Sequence, residues 1–319
     1  MHWSDGIRTL RRGVGVASRL AVARIVRPPP AVTRDPGRFV VAPEFGANPG
    51  RLRLRVYRPA AELRAGVPLI VLLHGCGQDA AVFAADAGWT ALADRLGLPL
   101  LLPEQQADNN RQRCFHWFQP ADTTRGQGEA GSIAAMVRAA TARFDADPAR
   151  VFIAGLSAGA AMAVAMLAAY PELFAAGAAV AGLPVGAAGG PVQALARMAG
   201  AGPAVPAEAL AERVRAAAPA SYAGPWPRLS VWCGTADNVV APENSLLLAA
   251  QWRALHRLPE QPTLEEPGHR AWGNAVELWS LPNLPHAWPV ATGTGQPAHF
   301  TADSAVAAVP MIARFWDLA

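Results

Sequence analysis

The chain has 319 residues, 52% of them hydrophobic and only 16% charged, enough apolar content for a sizeable buried core and too much for global disorder. Gly and Pro number 29 each, short of the roughly 25–30% at which low complexity becomes the default reading, so the prolines mark turns in a loop-rich globular chain. All 28 basic residues are Arg, and eight of them fall in residues 1–38 against Asp5 and Asp35; with +4 over the whole chain, residues 39–319 carry about −2, and a nucleic-acid footprint over the main body is not supported.

Taken in chain order, residues 7–26 can be drawn as an amphipathic helix. Ile7, Leu10, Val14, Ala17, Ala21 and Ile25 share one face, with Arg8, Arg12 and Arg19 opposite. Gly13 and Gly15 weaken it by roughly 1 kcal/mol each against Ala, and Pro28-Pro29-Pro30 stops it. This basic arm, residues 1–38, reads either as an anchor for an anionic or hydrophobic surface or as a poorly ordered or docked tail. From Arg51 the pattern alternates. Arg51–Tyr57 alternates apolar residues with Arg as a half-exposed strand does, and Val67–Leu73 and Leu98–Leu102 are short apolar runs of strands buried on both faces. Ala81–Leu96 and Glu129–Phe144 read as helices, Val151–Ala154 as a buried strand and Ala158–Ala169 as the helix after it. Further strands are expected at Ala178–Ala181, Leu229–Cys233 and Val276–Ser280, with a closing helix over Ser304–Leu318. Strand–helix alternation of this length predicts one α/β catalytic domain over residues 39–319: a mostly parallel central sheet with helices on both faces. The Gly/Pro-rich stretch 183–227 reads as an insertion over the carboxyl-terminal edge of that sheet.

Gly155-Leu156-Ser157-Ala158-Gly159 follows a buried strand and opens a helix, the context of a nucleophile elbow in an α/β-hydrolase fold. A serine hydroxyl is a poor nucleophile at neutral pH and needs a base held by a carboxylate, in this fold in the chain order Ser, acid, His. Asp237, just past the strand Leu229–Cys233, is the candidate acid. His286 follows the strand Val276–Ser280 and precedes the last helix, as the general base should; His299 is the reserve, while His256 and His269 fall in a helical stretch and a polar loop. Two backbone amides must hold the oxyanion. One is that of Ala158; the other comes from His74-Gly75-Cys76-Gly77, which ends the run Val67–Leu73, with Cys76 or Gly75 as the donor.

Several further segments occur in one order: His74-Gly75-Cys76-Gly77-Gln78, Pro103-Glu104-Gln105, Arg113-Cys114-Phe115-His116-Trp117-Phe118, Arg125-Gly126-Gln127-Gly128-Glu129, Asp147-Pro148-Ala149-Arg150-Val151, the elbow, and His286-Ala287-Trp288. Over residues 48–319 this resembles the polyhydroxybutyrate depolymerase family of esterases, which also takes in relatives of feruloyl and acetylxylan esterases. The resemblance implies Ser157 as nucleophile, Asp237 as acid, His286 as base and Cys76 and Ala158 as oxyanion donors, with His74, Trp117 and Trp288 lining the substrate cleft. It further implies that Cys76 and Cys114 lie close, bridged or as two thiols. The chain departs from the family pattern at Ala160, His116 and Pro285, where the family has Gly, Asn and Gly.

The expected activity is hydrolysis of a carboxylic ester through an acyl-enzyme, on poly(3-hydroxybutyrate) or related hydroxyalkanoate esters. The alternatives are a feruloyl- or acetylxylan-type carboxylesterase, and an inactive hydrolase-fold protein on a hydrophobic granule or membrane surface. No metal or organic cofactor is expected, since no His, Cys and carboxylate cluster shows metal-ligand spacing. Cys76, Cys114 and Cys233 allow at most one bridge and one thiol. No uninterrupted apolar run of about 18 residues predicts a membrane span, and no small-residue cleavage site follows Gly13–Val26, so the expectation is cytoplasmic rather than secreted.

Overall fold

The centre of the chain folds as strands because its short apolar runs can be buried on both faces at once. In Val67–Leu73, Leu69, Val71 and Leu73 point into the apolar layer on one side of the sheet, and Ile70 and Leu72 into the layer on the other. The computed structural model describes residues 38–42, 45–202, 205–291 and 293–318. The helix expected at 7–26 lies outside them.

Twelve strands are described: β1 Phe39–Val41, β2 Arg53–Tyr57, β3 Val67–Leu73, β4 Leu100–Glu104, β5 Ala146–Leu156, β6 Ala176–Val180, β7 Arg228–Gly234, β8 Leu264–Glu266, β9 His269–Trp272, β10 Val276–Leu281, β11 Trp288–Val290 and β12 Thr301–Asp303. The helices are α1 Ala80–Asp86, α2 Trp89–Leu96, α3 Pro120–Thr123, α4 Gly128–Arg143, α5 Ala158–Ala169, α6 Pro191–Met198, α7 Ala207–Ala217, α8 Glu243–Leu255 and α9 Ala308–Phe315. The main sheet runs β1-β2-β4-β3-β5-β6-β7-β10-β9-β8. Its six central strands, β4 to β10 in that order, are parallel, and antiparallel strands flank them at both ends. β11 and β12 form a separate parallel pair. This is the α/β architecture that the alternation predicts.

One difference from the expected elements has a clear local cause. The single helix expected over Ala81–Leu96 breaks at Gly88, which holds φ 92°, where a Cβ would stand 1.7 Å from the Thr294 carbonyl oxygen. Asp79 caps the first half by accepting from the Ala81 and Val82 amides. The 183–227 insertion holds two short helices, α6 and α7, between β6 and β7.

α5 is buried along its whole length, in keeping with its run of Ala, Gly, Met and Leu. On the opposite side of the sheet, Trp316 at the end of α9 stacks on Phe152 of β5 and on Trp89 of α2, with ring centroids 4.9 and 5.6 Å apart. Fully buried and in contact with both helices and sheet, it should cost about 3–5 kcal/mol on replacement by Ala. Urea unfolding of Trp316→Ala against the native protein measures that loss, and a change below about 1 kcal/mol would show that the layer repacks around the vacancy.

Candidate active site

β5 ends against α5 with almost no connecting chain, so one residue must make the whole turn. That residue is Ser157, at φ 57° and ψ −120°, a conformation an L-residue holds only when its surroundings impose it. Its amide is fixed by the Val180 carbonyl of β6 at 2.9 Å. The two flanking glycines are steric requirements. A Cβ on Gly155 would lie 2.3 Å from the Gly159 carbonyl oxygen, and one on Gly159 would lie 2.2 Å from that of Leu73. The helix start therefore presses on both β5 and β3, and the serine is pushed out at their carboxyl ends.

The same edge of the sheet receives the acid and the base. Asp237 follows β7 and His286 follows β10, which pair in parallel. His286 Nδ1 lies 2.7 Å from Asp237 Oδ2, and Asp237 Oδ1 accepts from the Val239 and Val240 amides at 2.9 Å each. The carboxylate is thus held on both oxygens, and the bond to Nδ1 leaves Nε2 as the nitrogen that could serve a candidate nucleophile. The two loops are also stitched by backbone: Thr235 N–H donates to Leu281 O and Ala236 N–H to Leu284 O, while Thr235 Oγ1 accepts from Asn283 N–H. Ala161, one turn beyond Ser157, packs with Val240 and Leu183 and joins the serine helix to the acid loop. Ser157, Asp237 and His286 are 7%, 7% and 9% exposed, so all three are largely shielded from water.

Pro285 stands next to the base without disturbing this arrangement. The loop is anchored through the Leu284 carbonyl, not through the amide that proline lacks. The other histidines are engaged elsewhere. His269 Nε2 meets Glu277, and His256 Nε2 meets the Pro227 carbonyl. His299 packs on Phe300, whose ring meets His286 edge-on with centroids 6.0 Å apart, so it lies over the base and not on the acid.

In the candidate oxyanion loop, the amides on either side of Cys76 are paired. Gly75 N–H is donated to Gln78 Oε1 at 2.7 Å and Gly77 N–H to the Gln112 carbonyl at 2.7 Å. Between them, the Cys76 amide is the candidate donor for an oxyanion. The Ala158 amide, first in α5, has no carbonyl one turn earlier in the helix to accept it. His74, expected to touch substrate, is instead fully buried beneath the loop. Its Nδ1 faces the Gly75 carbonyl at 2.8 Å and its Nε2 the Gln105 amide at 3.1 Å, and burial pushes its pKa down, which keeps the ring neutral for both contacts. Trp288 is likewise corrected: it is 0% exposed, packed in the core against Phe83 and Trp89 with no face toward the cleft. Trp117 is partly buried against the Ala161–Leu183–Val240 cluster.

Two features were written in the sequence as motif residues without a legible role. Gln78 clamps the oxyanion loop, its Nε2 also reaching the His299 carbonyl at 3.4 Å. Glu129, almost wholly buried, accepts from Gln105 Nε2, from the His116 amide at 2.8 Å and from His116 Nδ1 at 2.8 Å. Burial pushes the Glu129 carboxyl up, and its hydrogen bond to His116 pushes that imidazole up. His116, Asp122 and Glu129 also bring three ligand-type atoms within 4.8 Å, a convergence the sequence spacing did not show; the bonds from His116 to Glu129 account for it.

A disulfide joins Cys76 to Cys114, so the implied proximity is a covalent bridge, and the third cysteine, Cys233, is a buried thiol. The bridge ties the candidate oxyanion amide to the loop that carries His116 and Trp117.

Fold and elbow together define an α/β-hydrolase. A profile of the family described as Esterase PHB depolymerase matches residues 52–272, and the chain belongs to that family. It is 38% identical over 260 residues to the poly(3-hydroxyalkanoate) depolymerase C of Paucimonas lemoignei, covering 79% of this chain and 62% of the relative. It is 33% identical over 280 residues to an acetylxylan esterase of Coprinopsis cinerea, covering 82% and 72%, and 35% identical over 224 residues to feruloyl esterase B of Talaromyces stipitatus, covering 65% and 58%. The chain thus spans under two thirds of the depolymerase and of the feruloyl esterase. An acetyl xylan esterase from Aspergillus awamori shares the fold, with a TM-score of 0.76 at 21% identity over 88% of this chain and 99% of that one.

Cys114→Ser should lower kcat on p-nitrophenyl acetate by about tenfold, short of the 10²–10³ typical of losing an oxyanion donor outright, with KM little changed. Dithiothreitol on the native protein should do the same; unaltered kcat in both would show that the loop holds its amide without the bridge. A pH test separates the His116–Glu129 pair. His116 is raised above its usual value, so its stabilisation is complete below about pH 6.5 and is lost as pH rises through the higher folded value. The gap in Tm between native protein and His116→Asn should therefore be widest near pH 6 and shrink toward about pH 9, and a gap that grows with pH would reverse the assignment.

Proposed function

We propose that the protein is a serine carboxylesterase that cleaves hydroxyalkanoate esters, with residues 39–319 as its catalytic domain. The observation that carries this reading is the 2.7 Å contact from His286 to Asp237 on the sheet edge where Ser157 makes its strained turn. Ser157 Oγ attacks the ester carbonyl carbon while its proton passes to His286 Nε2. The carbonyl oxygen becomes an anion held by the Cys76 and Ala158 amides. Collapse breaks the carbon–oxygen bond to the alcohol, which leaves with the proton from His286. Water then attacks the acyl-enzyme, giving its proton to His286, and the acid departs as the proton returns to Ser157. Asp237 stays ionised throughout, orienting the ring and stabilising its charged form.

The depolymerase relative supports a polyester or oligoester substrate. The acetylxylan esterase relative, matched over more of this chain, supports a second reading, a carboxylesterase of the acetylxylan or feruloyl type. An inactive surface-binding protein fits poorly with a nucleophile, acid, base and oxyanion amide all gathered at one edge. No helix among the described residues is long and apolar enough to cross a membrane. The Cys76–Cys114 bridge supports an oxidising compartment over the cytoplasmic setting expected from the sequence, because disulfides persist in the former and are rare in the latter.

Ser157→Ala should leave the fold intact and remove hydrolysis of p-nitrophenyl butyrate, a loss on the order of 10⁴ or more. Product release from poly(3-hydroxybutyrate) particles, methyl ferulate and acetylated xylan by the native enzyme then ranks the substrates. Turnover surviving in Ser157→Ala would move the nucleophile elsewhere.

A further inference from the structure

Phe300 stands at φ 67°, in the left-handed region, which a bulky aromatic residue enters only where its surroundings hold it there. Hydrogen bonds on both sides do so. The Phe300 carbonyl accepts from the Trp288 amide at 2.8 Å, and Ala298 and Thr301 exchange N–H to carbonyl bonds at 3.2 Å across it. Thr301 Oγ1 donates to the Gln296 carbonyl at 2.6 Å, and the Gln296 amide to the Asp86 carbonyl of α1 at 2.9 Å. The register of β11 with β12 pairs Trp288 with Thr301, so this small parallel sheet ties the residue after Phe300 to the residue two past His286. Trp288 itself is anchored in the core.

The ring that this backbone carries lies against the candidate base. Phe300 meets His286 at 85° with centroids 6.0 Å apart, and is itself backed by His299 at 3.9 Å. Among the described residues, the bond to Asp237 is the one hydrogen bond on the His286 ring. An imidazole held at Nδ1 alone can still swing about that contact, and Nε2 would swing with it. A rigid neighbouring ring removes that freedom. The neighbouring carbonyl, that of His299, accepts from Gln78 Nε2 at 3.4 Å, and Gln78 Oε1 holds the Gly75 amide of the candidate oxyanion loop. Adjacent residues of one strained turn thus touch the base and the clamp of that loop.

We propose that Phe300 is a positioning residue for His286, its strained backbone holding an aromatic ring that fixes the imidazole in the orientation proton transfer requires. The proposal rests on the esterase reading above and adds to it what aims the base. It predicts a loss in the chemical step and not in substrate binding.

Phe300→Gly removes the ring at a backbone angle that suits glycine, and Phe300→Tyr keeps the ring. On p-nitrophenyl acetate, Phe300→Gly should lower kcat by about tenfold with KM little changed, since one aromatic contact is lost and the alignment of the base with it. Phe300→Tyr should restore most of that loss. Phe300→Leu, which keeps apolar bulk without a flat ring, should repeat the fall and serves should the glycine variant not fold. Inactivation by diisopropyl fluorophosphate reads the aim of the base without ester turnover, and its rate should fall in parallel. Native kcat in a folded Gly or Leu variant overturns the proposal, as does a change confined to KM or a Tyr variant as slow as the Gly one. If the native protein neither turns over the ester nor reacts at Ser157, the esterase reading fails. If it does both and Phe300→Gly is inactivated at the native rate, the esterase reading stands and the positioning role fails.

Discussion

Ser157 occupies φ 57° and ψ −120° because β5 and α5 meet there with one residue to spare, and a conformation of that kind costs on the order of 1–3 kcal/mol. What holds it is the middle of the sheet. β5 is flanked by β3 and β6, so the strand cannot relax sideways, and α5, buried along its length, cannot lift away. The absence of side chains at positions 155 and 159 lets the helix start touch Leu73 at the end of β3, the strand that leads directly into the oxyanion loop. Ser157 and the start of the candidate oxyanion loop are therefore brought together by one packing contact, with three strands and a helix around the strained serine.

The loop that completes the oxyanion site needs more support, since its backbone leaves the sheet at Leu73. It is held from three directions: His74 from below through Gly75 and Gln105, Gln78 from within, and the disulfide to Cys114 from the side. A bridge closing a 38-residue separation also removes on the order of 3–4 kcal/mol of freedom from the unfolded chain in the loop-entropy picture. Gln105 and Glu129 continue the network outward to His116, so the tilt of Trp117 and the aim of the Cys76 amide depend on the same buried polar groups. Such a buried network rigidifies the loop when every member is satisfied, and an unpaired member would be costly.

Much of this was legible in the sequence where local pattern and tertiary outcome share a cause. The run Val67–Leu73 is a strand at the predicted bounds because seven apolar residues buried on both faces have no better arrangement, and Ala158–Ala169 is a helix at the predicted bounds because nothing in it breaks one. The candidate base His286 and candidate acid Asp237, each placed after a strand by the sequence pattern, do come into contact at 2.7 Å. Legibility failed where packing alone decides. Trp117 directly follows one histidine and Trp288 lies two residues past another, yet Trp117 is partly buried against the Ala161–Leu183–Val240 cluster and Trp288 lies from β11 in the layer that holds α1 and α2. Gly88 carries no sign that Thr294, two hundred residues on, will occupy the space of its missing side chain. The β8–β9 hairpin escaped for a simpler reason: Leu264–Glu266 is exposed throughout, so no hydrophobic alternation betrays it.

The departures from the family pattern divide along the same line. Pro285 adjoins the base, but the loop is fixed through Leu284 O to Ala236 N–H, so the acid–base geometry tolerates the proline's missing amide. His116 is different in kind. Its Nδ1 bonds Glu129 and its Nε2 meets Asn110 at 3.1 Å, so it spans the buried network and the outer loop in a way a shorter side chain could not reproduce on both sides. The consequence falls on its neighbour Trp117, which contributes to the walls around α5 and takes no part in proton transfer. His116 is therefore linked to the candidate oxyanion loop through two routes, the Glu129–Gln105 network and the Cys76–Cys114 bridge two residues before it, while Gln78 holds that loop from within.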